Sequence, residues 1–184
     1  GKEITVSTTV KGIFRGYSGT TVDVNTADKY IVTYKAVNSD GFDATVKRTV
    51  WVYKNDDFTS GLEGIYTARV KRTPSQGAVP ATKDLNYIYI WKNTNGTYQL
   101  SDGIGGYYDI GRSYGEAYRA AGATFSYDFA TSTFTAGPSF SVGAFGGEAN
   151  ILSLSIDPAT KTITFTTDWD AGYQFTVTLT QVAL

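Results

Sequence analysis

The chain has no histidine, no cysteine and no methionine. Without histidine, the nucleophile–imidazole–carboxylate triads and the imidazole-liganded zinc sites fall away. Without cysteine, disulfides, thiolate metal sites and thiol nucleophiles are excluded as well. The missing methionines include the initiator, so the expectation is a processed or trimmed chain, with any signal segment or lipid-anchoring cysteine lying upstream. Charge is scarce too. Lys and Arg number 16 against 17 Asp and Glu, a net charge of -1. That balance offers no basic field to a phosphate backbone or an anionic membrane, so nucleic acid is not expected as a partner. No apolar run approaches the roughly 18–20 residues that cross a bilayer as a helix, and no transmembrane segment is expected.

What is present is apolar, aromatic and glycine-rich: 41% hydrophobic residues, with 14 Tyr, 10 Phe, 3 Trp and 20 Gly. This is the composition of a folded chain, and 184 residues suffice for one large β domain or two small ones. Strand periodicity begins at Ile4, Val6 and Val10, which alternate with Thr5, Ser7 and Thr9. It continues through 30–37 and 44–53, where Val46, Val50 and Val52 face one way and Lys47, Thr49 and Trp51 the other. Asn38-Ser-Asp-Gly41 between these two runs predicts a hairpin turn. A polar, turn-rich stretch from Lys54 to Gly61 breaks the pattern, which predicts two domains, 1–55 and 61–184. Strand signals resume at 64–70 and 87–91, with Pro74 and Pro80 bracketing the loop between them, and again at Phe125/Tyr127/Phe129, Ile163/Phe165 and Tyr173/Phe175/Val177/Leu179. Two segments, Asp128-Phe-Ala-Thr-Ser-Thr and Asp157-Pro-Ala-Thr-Lys-Thr, share one turn grammar and predict two similar hairpin loops. Only 113–121 suggests a short helix.

The run Val22-Asp-Val-Asn followed by Tyr30-Ile-Val-Thr-Tyr-Lys-Ala-Val-Asn-Ser-Asp-Gly and Arg48-Thr-Val-Trp-Val resembles bacterial immunoglobulin-like repeats over about residues 3–53. Such a module before a Tyr/Gly-rich β domain resembles a group of exported Bacteroidetes lipoproteins of unknown function, many associated with glycan uptake. The resemblance implies an all-β chain, an N-terminal Ig-like β-sandwich followed by an antiparallel β-barrel or sandwich. It also implies an upstream lipidated cysteine and a place on the outer-membrane surface or in the periplasm.

The densest candidate site is 100–118, where rings, carboxylates and glycines interleave outside any strand period. Sugar sites set flat aromatic faces against the C–H side of a ring and hydrogen-bond the hydroxyls with carboxylates and guanidinium groups. Asp102, Tyr107, Tyr108, Asp109, Arg112 and Tyr114 are therefore candidate ligand-binding residues, and Trp169, between Asp168 and Asp170, is another. The bland reading has the same tyrosines folding back over a barrel end and Trp169 capping it. Gly103-x-Gly105-Gly106 lacks the Lys-Ser/Thr of a phosphate loop. Asn38-x-Asp40-Gly41-x-Asp43 lacks the full acid set of a calcium loop. No metal and no cofactor is expected. Arg48 shares a face with Val46 and Val50, and a buried guanidinium there needs a polar partner. The functional expectation is a non-catalytic cell-surface binding module with an Ig-like spacer. Its partner is a carbohydrate or, in the alternative, another protein of an envelope complex.

Overall fold

Alternating β-branched and aromatic residues pair into antiparallel strands throughout the computed structural model, which describes residues 4–74 and 82–183. The chain divides into two units, 1–54 and 55–184. Among the described residues the only helices are single 3₁₀ turns, at Glu116–Tyr118 and Gly143–Phe145. The first of these is all that forms within the short helix expected at 113–121. None is long and apolar enough to cross a membrane.

In the N-terminal unit, strands β1 (Val6–Gly12), β2 (Ser18–Gly19), β3 (Asp28–Val37) and β4 (Asp43–Val52) form one sheet in the order β2-β1-β3-β4. The predicted turn forms between β3 and β4: the Asn38 Oδ1 accepts the amides of Asp40 and Phe42 at 3.0 and 2.9 Å, and Gly41 takes a φ of 86°. Val10, Tyr30 and Val32 make the core, with Tyr17, Val22, Val50 and Val52 packed against them. Beneath lies the buried Asp28 carboxylate, which accepts the amides of Phe14, Arg15 and Lys29 at 2.7–3.0 Å. The described strands of this unit thus make one four-stranded hydrogen-bonded sheet, with β4 at its edge. Arg48 is a consequence. It sits on the edge strand β4, whose first seven residues are all exposed, so its charge stays in water and no buried partner is required.

The C-terminal unit contains β5 (Gly64–Thr73), β6 (Thr82–Lys92), β7 (Tyr98–Leu100), β8 (Thr124–Asp128), β9 (Thr133–Ala136), β10 (Ala149–Asp157), β11 (Thr162–Trp169) and β12 (Tyr173–Gln181). They form one eight-stranded sheet, β10-β11-β12-β5-β6-β7-β8-β9. The sheet curls almost to closure: past β9, Phe140 exchanges two backbone hydrogen bonds, 3.0 and 2.8 Å, with Ala149 at the start of β10. Alternation sends Tyr66, Ala68, Val70 and Arg72 of β5 inward, with Ile163 and Phe165 of β11 and Phe175, Val177 and Leu179 of β12. The two related turns are built alike. Asp128 and Asp157 each accept the amide two residues on at 2.9 Å, and Ser132 and Lys161 each take a φ near 50°.

The polar stretch after Lys54 is part of this second unit rather than a tether. The Asn55 side chain donates to the Val182 carbonyl at 2.7 Å and accepts the Ile65 amide at 3.1 Å. The Gln181 side chain donates to the Asp56 carbonyl at 3.0 Å. Phe58 and Leu62 are fully buried. Turn-forming composition marked the break in the strand pattern, but it could not show that the turn carries a core residue. A fragment 55–184 should therefore unfold cooperatively on its own. Fragment 61–184, shorn of Phe58, should melt ~10 °C lower or fail to fold, since losing a buried Phe costs ~3–5 kcal/mol. Calorimetry on the two fragments checks this, and equal melting temperatures would refute it.

Candidate functional site

The segment joining β7 to β8 runs through the interior of the C-terminal unit. At its head the buried Asp102 carboxylate accepts the amides of Ile104 at 2.9 Å and Ala120 at 3.4 Å, and that of Gly106. The Gly103 amide donates to the Ala120 carbonyl at 2.7 Å, and the Thr167 hydroxyl donates to the Gly103 carbonyl at 2.6 Å. Glycine is required here by close approach. A Cβ on Gly103 would collide with the Phe140 ring, and one on Gly105, at φ 67°, would stand 2.6 Å from Val70 and 2.8 Å from Val177. The backbone lies directly on the inward side chains of β5 and β12.

This placement corrects much of the expected ligand surface. Tyr107 is fully buried and Tyr108 almost so, and both pack edge-on against Phe175. Neither offers a face to a ligand. Asp102 is enclosed and fully used by backbone amides. Trp169 is buried as well, its indole N–H donating to the Gly146 carbonyl at 3.2 Å. Asp109 is engaged by Arg119 at 3.0 Å, with both side chains largely buried. Asp109 remains partly open; of the other six candidates only Tyr114 and Arg112 reach the surface. They interact: the Arg112 guanidinium donates to the Tyr114 hydroxyl at 3.0 Å.

The structure brings to Tyr114 residues that the sequence reading had not singled out. Tyr114 lies parallel to the buried Tyr108 (centroids 6.1 Å, planes 10° apart) and meets Tyr118 edge-on at 5.3 Å. Phe145 packs on Tyr108 at 4.9 Å, on Tyr118 at 4.8 Å and on Trp169 at 5.9 Å. Trp169 in turn contacts Tyr173 at 5.8 Å. Tyr114 and Phe145 are 43% and 46% exposed, so two rings are part-open to solvent on a base of buried rings, with the Arg112 guanidinium over Tyr114 at 5.3 Å from its centroid. Offset and edge-on contacts of this kind each add ~0.5–1.5 kcal/mol and hold the outer rings in place. Phe145 had a sequence signal: it stands between Gly143 and the pair Gly146-Gly147, an aromatic with no strand period.

Arg72 is the other residue missed. It is 2% exposed, beside Tyr107 and Tyr173, with its carbon 5.3 and 4.7 Å from their ring centroids. Its Nη1 donates to the Tyr108 hydroxyl at 3.2 Å. Its signal was parity, a charge at the fourth inward position of β5.

Comparison with known proteins follows this architecture. A family model for a C-terminal domain matches residues 55–181, and the model "Bacterial surface protein, Ig-like domain" matches residues 16–52. The crystal structure of the lipoprotein BT2262 from Bacteroides thetaiotaomicron is similar, with a TM-score of 0.65 and 30% identity over 95% of this chain and 81% of that one. The chain belongs to the BT2262 family. No curated protein sequence matches it. Family membership agrees with the exported, Ig-like reading and attaches no reaction to the fold.

Chemically, the family's C-terminal unit here offers aromatic faces and a few polar groups. Among the described residues no group of three or more acidic side chains is placed to hold a metal ion. Asp168 and Asp170 are both exposed, and Asp170 accepts the Glu148 amide at 2.9 Å. Burial pushes the Asp102 carboxyl up to about 6, against the amides that favour its charge. A carboxyl raised in the folded state favours folding when protonated. Its contribution is complete below about pH 4 and is lost as pH rises through 6, a swing of ~3 kcal/mol. The melting temperature of wild type relative to D102N should therefore fall between pH 4 and pH 7. Parallel profiles for the two proteins would contradict the buried placement.

Proposed function

We propose that the chain is a non-catalytic binding module of the bacterial envelope, and that the ring-lined end of its C-terminal unit takes carbohydrate. The observation that carries this is the pair of half-exposed rings, Tyr114 and Phe145, set on the buried Tyr108 and Trp169. Around them stand Arg112, Glu116 and the Asp109–Arg119 pair. Sugars bury their C–H faces on such rings while their hydroxyls exchange hydrogen bonds with the polar border. Tyrosine and phenylalanine lose few rotamers on binding, so prepositioned rings cost little to engage. Membership in a family that includes a lipoprotein supports attachment at the outer-membrane surface. The Ig-like unit serves as the spacer.

A second reading, a structural protein that docks in an envelope complex, is favoured by the N-terminal sheet. Tyr34 lies opposite Val46 across β3 and β4, and both are exposed, as is Val6 on the same face of β1. Apolar surface of this kind is a feature of protein interfaces.

The two readings separate on a glycan array probed with wild type and the double variant Y114A/F145A. We expect wild type to bind a defined glycan class and the double variant to lose at least ~10-fold in affinity with a small change in melting temperature, since both rings are half exposed. Y107A should instead lose ~3–5 kcal/mol of stability, as a ring truncated in the core. Retention of no glycan by wild type, or unchanged binding by the double variant, would refute the carbohydrate site.

A further inference from the structure

Arg72 presents an imbalance that the fold itself does not resolve. Its guanidinium is 2% exposed, and among the described residues no carboxylate pairs with it within 4 Å. Its only hydrogen bond is the one from Nη1 to the Tyr108 hydroxyl at 3.2 Å; Nε and Nη2 are buried with no partner. Arginine cannot shed its proton on burial as lysine does. Two cation–π contacts, to Tyr107 and Tyr173, offset part of the desolvation and leave those N–H groups unsatisfied. An apolar residue at this inward position of β5 would continue the series Tyr66, Ala68, Val70 at no such cost.

The identity of the two empty donors is informative. Nε–H and Nη2–H lie on the same edge of the guanidinium plane and point the same way, the fork that receives both oxygens of one carboxylate. Nη1, on the far side, is the group that Tyr108 occupies. Arg72 is the penultimate residue of its strand, and of its three ring neighbours Tyr173 alone is partly open to solvent while Tyr107 and Tyr108 are buried. Tyr108 and Tyr173 also belong to the ring cluster that carries Tyr114 and Phe145.

We propose that the aromatic end of the C-terminal unit selects acidic carbohydrate, with the ligand's carboxylate received by the Nε/Nη2 edge of Arg72 and its ring faces by Tyr114 and Phe145. This rests on the carbohydrate reading above and assigns the substrate class of that same site. Binding turns the half-buried Tyr173 aside and exchanges a ring contact for a bidentate, charge-assisted pair.

The test uses the intact protein and a panel of oligosaccharides ending in galacturonate, glucuronate or sialate, each beside its own methyl ester, with succinate as a carboxylate that is not a sugar. Calorimetric titration of wild type should show at least one acid bound ten-fold or more tighter than its ester. R72M should keep or raise the melting temperature and bind that acid and its ester alike. R72K, which keeps a charge but not the fork, should lose most of the preference while remaining folded, and provides the check if R72M is not recovered. Equal binding of acid and ester by wild type would overturn the assignment while leaving the carbohydrate site standing. Succinate binding as tightly as the acidic sugar would overturn the sugar class. Binding of no glycan, acidic or neutral, would overturn both this assignment and the reading beneath it.

Discussion

An eight-stranded barrel has an interior just wide enough to be filled by side chains, and this one fills part of it with its own backbone. The segment from Asp102 to Gly111 enters the barrel, and one buried carboxylate holds it there: Asp102 accepts the amides of Ile104, Gly106 and Ala120 and so turns the chain back on itself. Those amides would otherwise be unpaired in an apolar interior. The glycines follow, because a side chain at 103 or 105 would collide with Phe140, Val70 or Val177. So do the tyrosines, since an inserted loop needs large rings to close the gaps around it, and Tyr107 and Tyr108 are packed against Phe175.

The same insertion decides which aromatics remain for function. Tyr107, Tyr108 and Trp169 are consumed as foundation, and what they support is a second tier: Tyr114 parallel on Tyr108, Phe145 across Tyr108 and Trp169, Tyr118 between the two. Arg72 lies in the foundation with Nε and Nη2 buried and unpartnered. A site built this way is rigid by construction, because its outer rings rest on core residues whose positions are set by the fold. The N-terminal unit is simpler. Its small core of Val10, Tyr30 and Val32 lies on one sheet and is braced by the amides gathered at Asp28.

Much of the fold was legible from period-two alternation, as at Tyr173 to Leu179, and from turn chemistry, as at Asn38 to Gly41 and in the two Asp-x-Ala-Thr-x-Thr hairpins. These are local signals, and the forces behind them act within a few residues. The site was less legible because its determinants are distant in sequence. Nothing within 100–118 says that Val70 and Val177 lie against Gly105, so a glycine-rich, ring-rich segment without strand period left two readings open, a ligand-binding rim and tyrosines folded back over a barrel end. The exposure of Arg48 was hidden for a related reason. Parity shows that Val46 and Arg48 share a face, but not whether anything covers it. Arg72 was accessible to the argument applied to Arg48, a charge in an apolar strand register. Only the sheet order shows that Arg48 lies on an edge strand and Arg72 between β12 and β6.

Residues 102–108 are core, and amide hydrogen exchange on the native protein tests this most directly. If Asp102 anchors an inserted loop, the amides of Ile104, Gly106 and Ala120 will exchange as slowly as those of the central strands β5 and β12, through global unfolding of the C-terminal unit. If those amides exchange as fast as the exposed turn at Asn95 and Gly96, the segment is a surface loop. Neither the inserted core nor the ring-lined site resting on it would then stand.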